Sequence, residues 1–140
     1  MNTTMNKKMN KTILLLSSDP VMRSVLQEVL ERGGYLVFTA GNLGTAVDRL
    51  KESTPDLLII RSYIESIPGY DAATFLRTKC LGLRVLMVGG LIDDDRLRYR
   101  MTLEGFDVFP KPFAAADFLE KVNRMLRKVP DEHIASALSE

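Results

Sequence analysis

The sequence predicts an α/β domain in which five parallel strands form one doubly wound sheet. Two observations carry that prediction. Apolar runs of strand length recur at regular intervals, and between them apolar residues return at helical spacing. Several of the runs are continuous rather than alternating, which marks strands covered on both faces. Strand–helix units repeated along the chain and joined by right-handed crossovers leave few other topologies.

The first strand is read at "TILLL", 12–16. A helix follows over 20–32, with Asp19 as candidate N-cap, Pro20 at the first helical position and Gly33-Gly34 as the stop. Val21, Val25, Leu26, Val29 and Leu30 form its expected buried stripe. "YLVFTA" (35–40) is the second strand, followed by a helix over 42–52 capped by Asn42 and carrying Leu43, Ala46, Val47 and Leu50. "DLLII" (56–60) is the third, and the helix over 71–79 stands behind Asp71 with Ala72, Phe75 and Leu76 inward. "RVLMV" (84–88) precedes a helix over 93–103 that opens on Asp93-Asp94-Asp95 and continues with Arg96, Arg98 and Arg100, the charge order a helix dipole favours. "FDVF" (106–109) and a helix over 114–128, carrying Phe118, Leu119, Val122, Met125 and Leu126, complete the set. Residues 1–11 read as a disordered leader, 12–129 as the domain and 130–140 as a polar tail.

With 140 residues the chain is one domain by length, large enough to bury a core. Nineteen basic and eighteen acidic residues leave a net charge of +1, which removes the electrostatic case for nucleic acid or a membrane surface as partner. A single cysteine, Cys80, excludes an internal disulfide and a multi-cysteine metal site. The single histidine, His133, lies in the polar tail and argues against a histidine triad or zinc centre. The basic N-terminus is followed by an apolar run, Ile13 to Leu16, too short for a signal peptide, so the expected location is the cytoplasm.

In doubly wound sheets ligands sit beyond the carboxyl ends of the strands. Those ends carry Ser17-Ser18-Asp19, Arg61, Gly89-Gly90 and Pro110-Lys111-Pro112. Arg61 stands out, because a guanidinium ending an apolar strand is costly unless a counter-charge meets it.

The stretches "ILLLSSDPVMRSVLQEVLERGGYLVFTA", "PDLLII", "IPGYDAATFLR", "RVLMV" and "FPKPF", in this order and spacing, resemble response-regulator receiver domains. These are the CheY-like phosphoacceptor modules of two-component phosphorelay signalling, and the resemblance covers residues 12 to about 128. It implies a flavodoxin/CheY-like sheet in the order 2-1-3-4-5. It also implies a chemistry: an aspartate ending the third strand accepts a phosphoryl group. Two acidic residues after the first strand hold Mg²⁺, and a Ser or Thr ending the fourth strand and a Lys ending the fifth receive the phosphoryl oxygens. At the corresponding positions stand Arg61, then Ser17 and Ser18 with only Asp19 beside them, then Gly89, then Lys111. The loop from Arg61 to "PGYD" is about three residues longer than the family's, and the segment before Lys111 about one shorter, which puts Val108 or Phe109 at the family's switch aromatic.

Charge decides the reading. The family's pocket sums to about −2, whereas Asp19, Arg61 and Lys111 sum to about +1. A divalent cation would meet two fixed positive charges within roughly 4–8 Å and a single strong ligand. Arginine, moreover, cannot deprotonate to act as nucleophile. The expectation is a pseudo-receiver, not an enzyme, with no metal and no cofactor. It acts through contact with a histidine kinase, an output domain or a second copy, and the resemblance implies Arg96, Tyr99, Arg100 and Phe109 as the partner face. Arg61 is expected to pair with Asp19 and so hold one signalling state, with Ser17 and Ser18 capping the next helix. Asp56, Asp71 and Asp93 to Asp95 are expected as caps and solvated helix starts, and Cys80 at a helix end. Two rivals stand beside this. One is a working receiver with a non-standard acceptor. The other is an anion- or nucleotide-binding flavodoxin-like domain using Arg61, Lys111 and the amides of Gly89-Gly90, although "SSDPVM" stands where a glycine-rich phosphate loop would follow the first strand.

Overall fold

The computed structural model describes residues 11–89, 95–109 and 114–127. In chain order the elements are β1 (Thr12–Leu16), α1 (Pro20–Arg32), β2 (Leu36–Ala40), α2 (Leu43–Glu52), β3 (Leu57–Arg61), β4 (Tyr63–Ile64), β5 (Ile67–Pro68), α3 (Gly69–Lys79), β6 (Val85–Val88), α4 (Asp95–Leu103), β7 (Phe106–Phe109) and α5 (Ala115–Arg127). β2-β1-β3-β6-β7 form one parallel sheet, the predicted order with β6 and β7 as the fourth and fifth strands. Element ends differ from the sequence reading by one or two residues, the ordinary fraying of element ends.

The continuous apolar strands are buried on both faces, as their sequences require. Leu14, Leu16, Leu58, Ile60, Val85, Met87 and Phe106 point to a core roofed by Ala46 of α2, Ala72, Ala73 and Leu76 of α3 and Met101 of α4. Ile13, Leu15, Leu57, Ile59, Leu86 and Val88 point the other way, against Leu26 and Leu30 of α1 and Phe118, Val122, Met125 and Leu126 of α5. Burying each such side chain contributes about 1.5–3 kcal/mol, so these two layers hold the fold.

The extra residues after Arg61 are not a slack loop. They form the antiparallel hairpin of β4 and β5, pairing Tyr63 with Pro68 and Ile64 with Ile67. Ile64 is buried in the α2–α4 core, and Glu65 turns the chain at φ 57°, a conformation uncommon for a residue with a Cβ.

Three local expectations are corrected. On α1, Val21 and Val25 are 72% and 52% exposed, and the buried line passes through Leu26 and Leu30 instead. The helix is rotated so that Met22 and Val29 flank that line against the α5 layer. Phe75 of α3 is also exposed, because Ala72, Ala73 and Leu76 take the inward face. Asp71 lies inside the first turn of α3, which begins at Gly69 behind Pro68 without a side-chain cap.

Asn42 does cap α2, its Oδ1 accepting the Thr45 N–H at 2.8 Å. Asp56 joins two strand starts rather than capping a helix, accepting the Thr12 N–H at 2.8 Å. Cys80 is a free thiol at the C-cap of α3. Asp93 and Asp94, the tail 130–140 and the leader apart from Lys11 lie outside the described residues. No described helix is long and apolar enough to cross a membrane.

Phe118 is fully buried between the sheet and α1, so Phe118→Ala should lower stability by about 3–5 kcal/mol in a urea unfolding titration. Val25→Ala, on the exposed side of α1, should change it by less than about 0.5 kcal/mol.

Candidate functional site

The carboxyl ends of β1, β3 and β6 and the start of α1 form the mouth of the sheet. The pleat of β3 aims its last side chain. Leu57 and Ile59 face the α1–α5 layer, and Arg61, two residues further on, shares their face. That direction leads to the N-terminus of α1, where Asp19 waits.

Asp19 divides its carboxylate between two tasks. Its Oδ1 accepts the N–H groups of Val21 and Met22 at 3.0 and 3.3 Å and caps α1. Its Oδ2 stands 3.7 Å from Arg61 Nη1, with the Asp19 side chain 48% and the Arg61 side chain 25% exposed. The expected pair is therefore present, but as a loose ion pair beyond hydrogen-bond distance.

The serines divide differently from expectation. Ser17 is fully buried, and its Oγ accepts the Asp19 N–H at 3.2 Å. Ser18 is exposed. Neither caps α1, because Asp19 already supplies the acceptor for its free N–H groups.

Gly89 follows β6 with φ 84°, the left-handed region a glycine occupies without strain. Its N–H donates to the Phe109 carbonyl at 3.1 Å, so it is not part of an open nest for an anion. Lys111 and Gly90 lie outside the described residues.

Two residues at the mouth escaped the sequence reading. Arg23, one turn into α1, reaches back to donate from Nη1 to the Ser17 carbonyl at 2.7 Å. A Cβ on Gly41 would stand 3.0 Å from that nitrogen, so the glycine leaves room for it. The only sequence signal was an arginine four residues past a strand-end helix cap.

Ser62 is the second. Its N–H donates to the Val88 carbonyl at 3.2 Å, its hydroxyl donates to the Gly89 carbonyl, and its own carbonyl accepts the Gly69 N–H at 2.5 Å. It ties β3, the end of β6 and the start of α3 together. Gly69 has to be glycine: a Cβ there would collide with the Arg61 carbonyl and stand 3.0 Å from the Ser62 oxygen.

On the implied partner face, Arg96, Tyr99 and Arg100 are exposed along α4. Phe109 is half-buried and packs toward Phe118 with ring centroids 6.1 Å apart, while Val108 faces the α4 layer. Among the described residues no group of three His, Cys, Asp or Glu side chains is placed to hold a metal ion.

A doubly wound parallel sheet with its polar residues gathered at the strand ends defines the class. The chain belongs to the response regulator receiver domain family, whose sequence profile matches residues 13–123. It is 28% identical over 120 residues to the alkaline phosphatase synthesis transcriptional regulatory protein PhoP of Bacillus subtilis, a match covering 86% of this chain and 50% of PhoP. It is 25% identical to sporulation initiation phosphotransferase F of the same organism, covering 84% of this chain and 95% of that protein. Protein PetR of Rhodobacter capsulatus is 32% identical over 127 residues, again with 50% of its length covered. The chain thus spans about half the length of PhoP and of PetR.

Among solved structures, a two-component response regulator from Clostridium difficile superposes with a TM-score of 0.75 at 19% identity, over 85% of this chain and 98% of that one. Vibrio cholerae chemotaxis protein CheY4 gives 0.74 at 18% identity, over 84% and 99%. At these identities the likeness is one of fold.

Asp19→Ala should cost about 1 kcal/mol, chiefly through the lost helix cap. The coupling between Asp19 and Arg61 should stay below about 1 kcal/mol in a double-mutant cycle, because the pair is long and partly hydrated. Gly69→Ala should cost more than either, about 1–3 kcal/mol, measured in the same unfolding assay.

Proposed function

We propose that this chain is a receiver domain that takes no phosphoryl group on aspartate and signals through protein contact. The observation that carries this reading is Arg61, which ends β3 and faces α1 with Asp19 as its counter-charge. A guanidinium stays protonated at any working pH and cannot attack phosphorus.

The donor set also disfavours Mg²⁺. Asp19 offers one carboxylate, already shared between the α1 cap and Arg61, and the buried Ser17 hydroxyl is turned to the backbone. Six hard oxygen ligands are not assembled from such a set without displacing a fixed positive charge. The Asp19–Arg61 pair instead gives the mouth a charge that no phosphoryl transfer alters. The domain would hold a single signalling state or answer to another input.

The partner is then a protein: a histidine kinase, an output domain or a second copy. The exposed Arg96, Tyr99 and Arg100 of α4 supply the contact surface, with an aromatic and two guanidinium groups of the kind that anchor interfaces. Nucleic acid is not proposed as a partner of this domain, whose chain carries a net charge of only +1.

Incubation with acetyl phosphate and Mg²⁺ followed by intact-mass measurement tests the reading. The expected spectrum shows the unmodified mass alone. A phosphoryl adduct would overturn the proposal in favour of a receiver with a non-standard acceptor.

A further inference from the structure

We infer that β2, the outer strand of the sheet, forms a symmetric dimer interface by pairing antiparallel with β2 of a second copy of this chain. Among the described residues β2 pairs with β1 alone, and no described strand lies beyond it. The Leu36 N–H donates to the Lys11 carbonyl at 2.9 Å, and the Ala40 carbonyl accepts the Ser17 N–H at 3.0 Å. The even-numbered residues of β2 thus turn their backbone to β1, and by alternation Val37 and Thr39 turn theirs to the open edge. Such an edge is ordinarily guarded by lysine, proline or a bulge. β2 reads LVFTA, with neither residue, and its register with β1 runs unbroken.

The groups already engaged along this edge select the register. The Tyr35 N–H donates to the Leu30 carbonyl at 3.2 Å, and the Thr39 carbonyl accepts Arg49 Nε at 3.2 Å. A two-fold axis through Val37 sets that residue opposite itself, so the two copies exchange N–H···O bonds and both of its outward groups are paired. Tyr35 then faces Thr39 of the second copy, and the bond that cannot form there joins two groups that already have partners. Moving the axis to Leu36 or Phe38 would set a Val37 group against one of those engaged groups instead. The register through Val37 also places Leu36 opposite Phe38 of the second copy, twice. These two side chains share the α2 side of the sheet with Ala40, yet they are 51% and 42% exposed. As a non-hydrogen-bonded pair they approach closely, and an aliphatic–aromatic contact there is favourable. β2 carries no charged residue, so no like charges meet across the axis. The strand is its own complement, which is the requirement of a two-fold interface and the reason the occupant is a second copy. β2 and β7 are opposite edges of the sheet and α4 packs beside β7, so this interface is separate from the α4 face.

One five-residue strand per copy is small beside the roughly 1,200–2,000 Å² of a stable interface, so a micromolar association is expected. Sedimentation velocity of the full chain, from about 1 μM to 1 mM, should show a monomer passing into a dimer. Phe38→Lys, with its fold checked by thermal melting, should weaken the association at least about tenfold. Leu103→Lys, on the exposed side of α4, should leave it unchanged. Cysteine pairing reads the register directly, in a Cys80→Ser background. Under mild oxidation an equimolar mixture of Leu36→Cys and Phe38→Cys chains should form a disulfide-linked dimer, because the opposed positions stand about 4.5 Å apart between Cα atoms. Either variant alone should link far less. A chain that stays monomeric throughout overturns the inference and leaves the edge to a strand of some other protein. So does a dimer that survives Phe38→Lys or is lost in Leu103→Lys, and so does a mixture that links no better than the single variants.

Discussion

The pleat of β3 decides where Arg61 points. Leu57 and Ile59 must face the α1–α5 layer and Leu58 and Ile60 the α2–α4 layer, because the strand is covered on both sides and every one of them is fully buried. Shifting the strand by one residue would exchange the two sets and turn Arg61 toward the opposite layer. The direction of one charged side chain is thus fixed by the packing of four apolar ones. The encounter of Arg61 with Asp19 follows from that phase.

Magnitudes show which force holds what. The four buried residues of β3 contribute about 1.5–3 kcal/mol each. A partly hydrated ion pair at 3.7 Å contributes at most about 1 kcal/mol. The pair is therefore a consequence of the fold and not its support. Arg61 is tolerated because a quarter of its side chain still reaches solvent and because Asp19 lowers the cost of the rest. That arrangement puts a guanidinium and a carboxylate side by side at the mouth of the sheet.

Hydrogen bonds of the backbone and of the Ser62 hydroxyl keep the rim in shape. A chain of them runs from the Phe109 carbonyl through Gly89 to Ser62 and on to Gly69, crossing from β7 to the start of α3. Gly89 and Gly69 are the residues that make this possible, one by its positive φ and the other by lacking a Cβ where two carbonyls crowd in. The same chain links the end of β7, beside the α4 face, to the backbone that carries Arg61.

The alternation of apolar runs with helical stripes was enough to place the five strands of the sheet, their helices and the position of Arg61, because hydrophobic period is a local property of the chain. The residue types that end the strands were equally legible, since they depend on sequence identity alone. The rotation of α1 that exposes Val21 and Val25 was not, because a helix with apolar residues on more than one side is oriented by what it packs against. Nor could the hairpin of β4 and β5, the reach of Arg23 to Ser17 or the knot at Ser62 be read from spacing. Each joins groups that are distant in sequence or set by loop geometry, and only the assembled sheet brings them within hydrogen-bond distance. The sequence alone determined that an arginine ends the third strand; the tertiary structure decided that it meets Asp19 loosely, 3.7 Å away, because the pleat of β3 aims it at the start of α1.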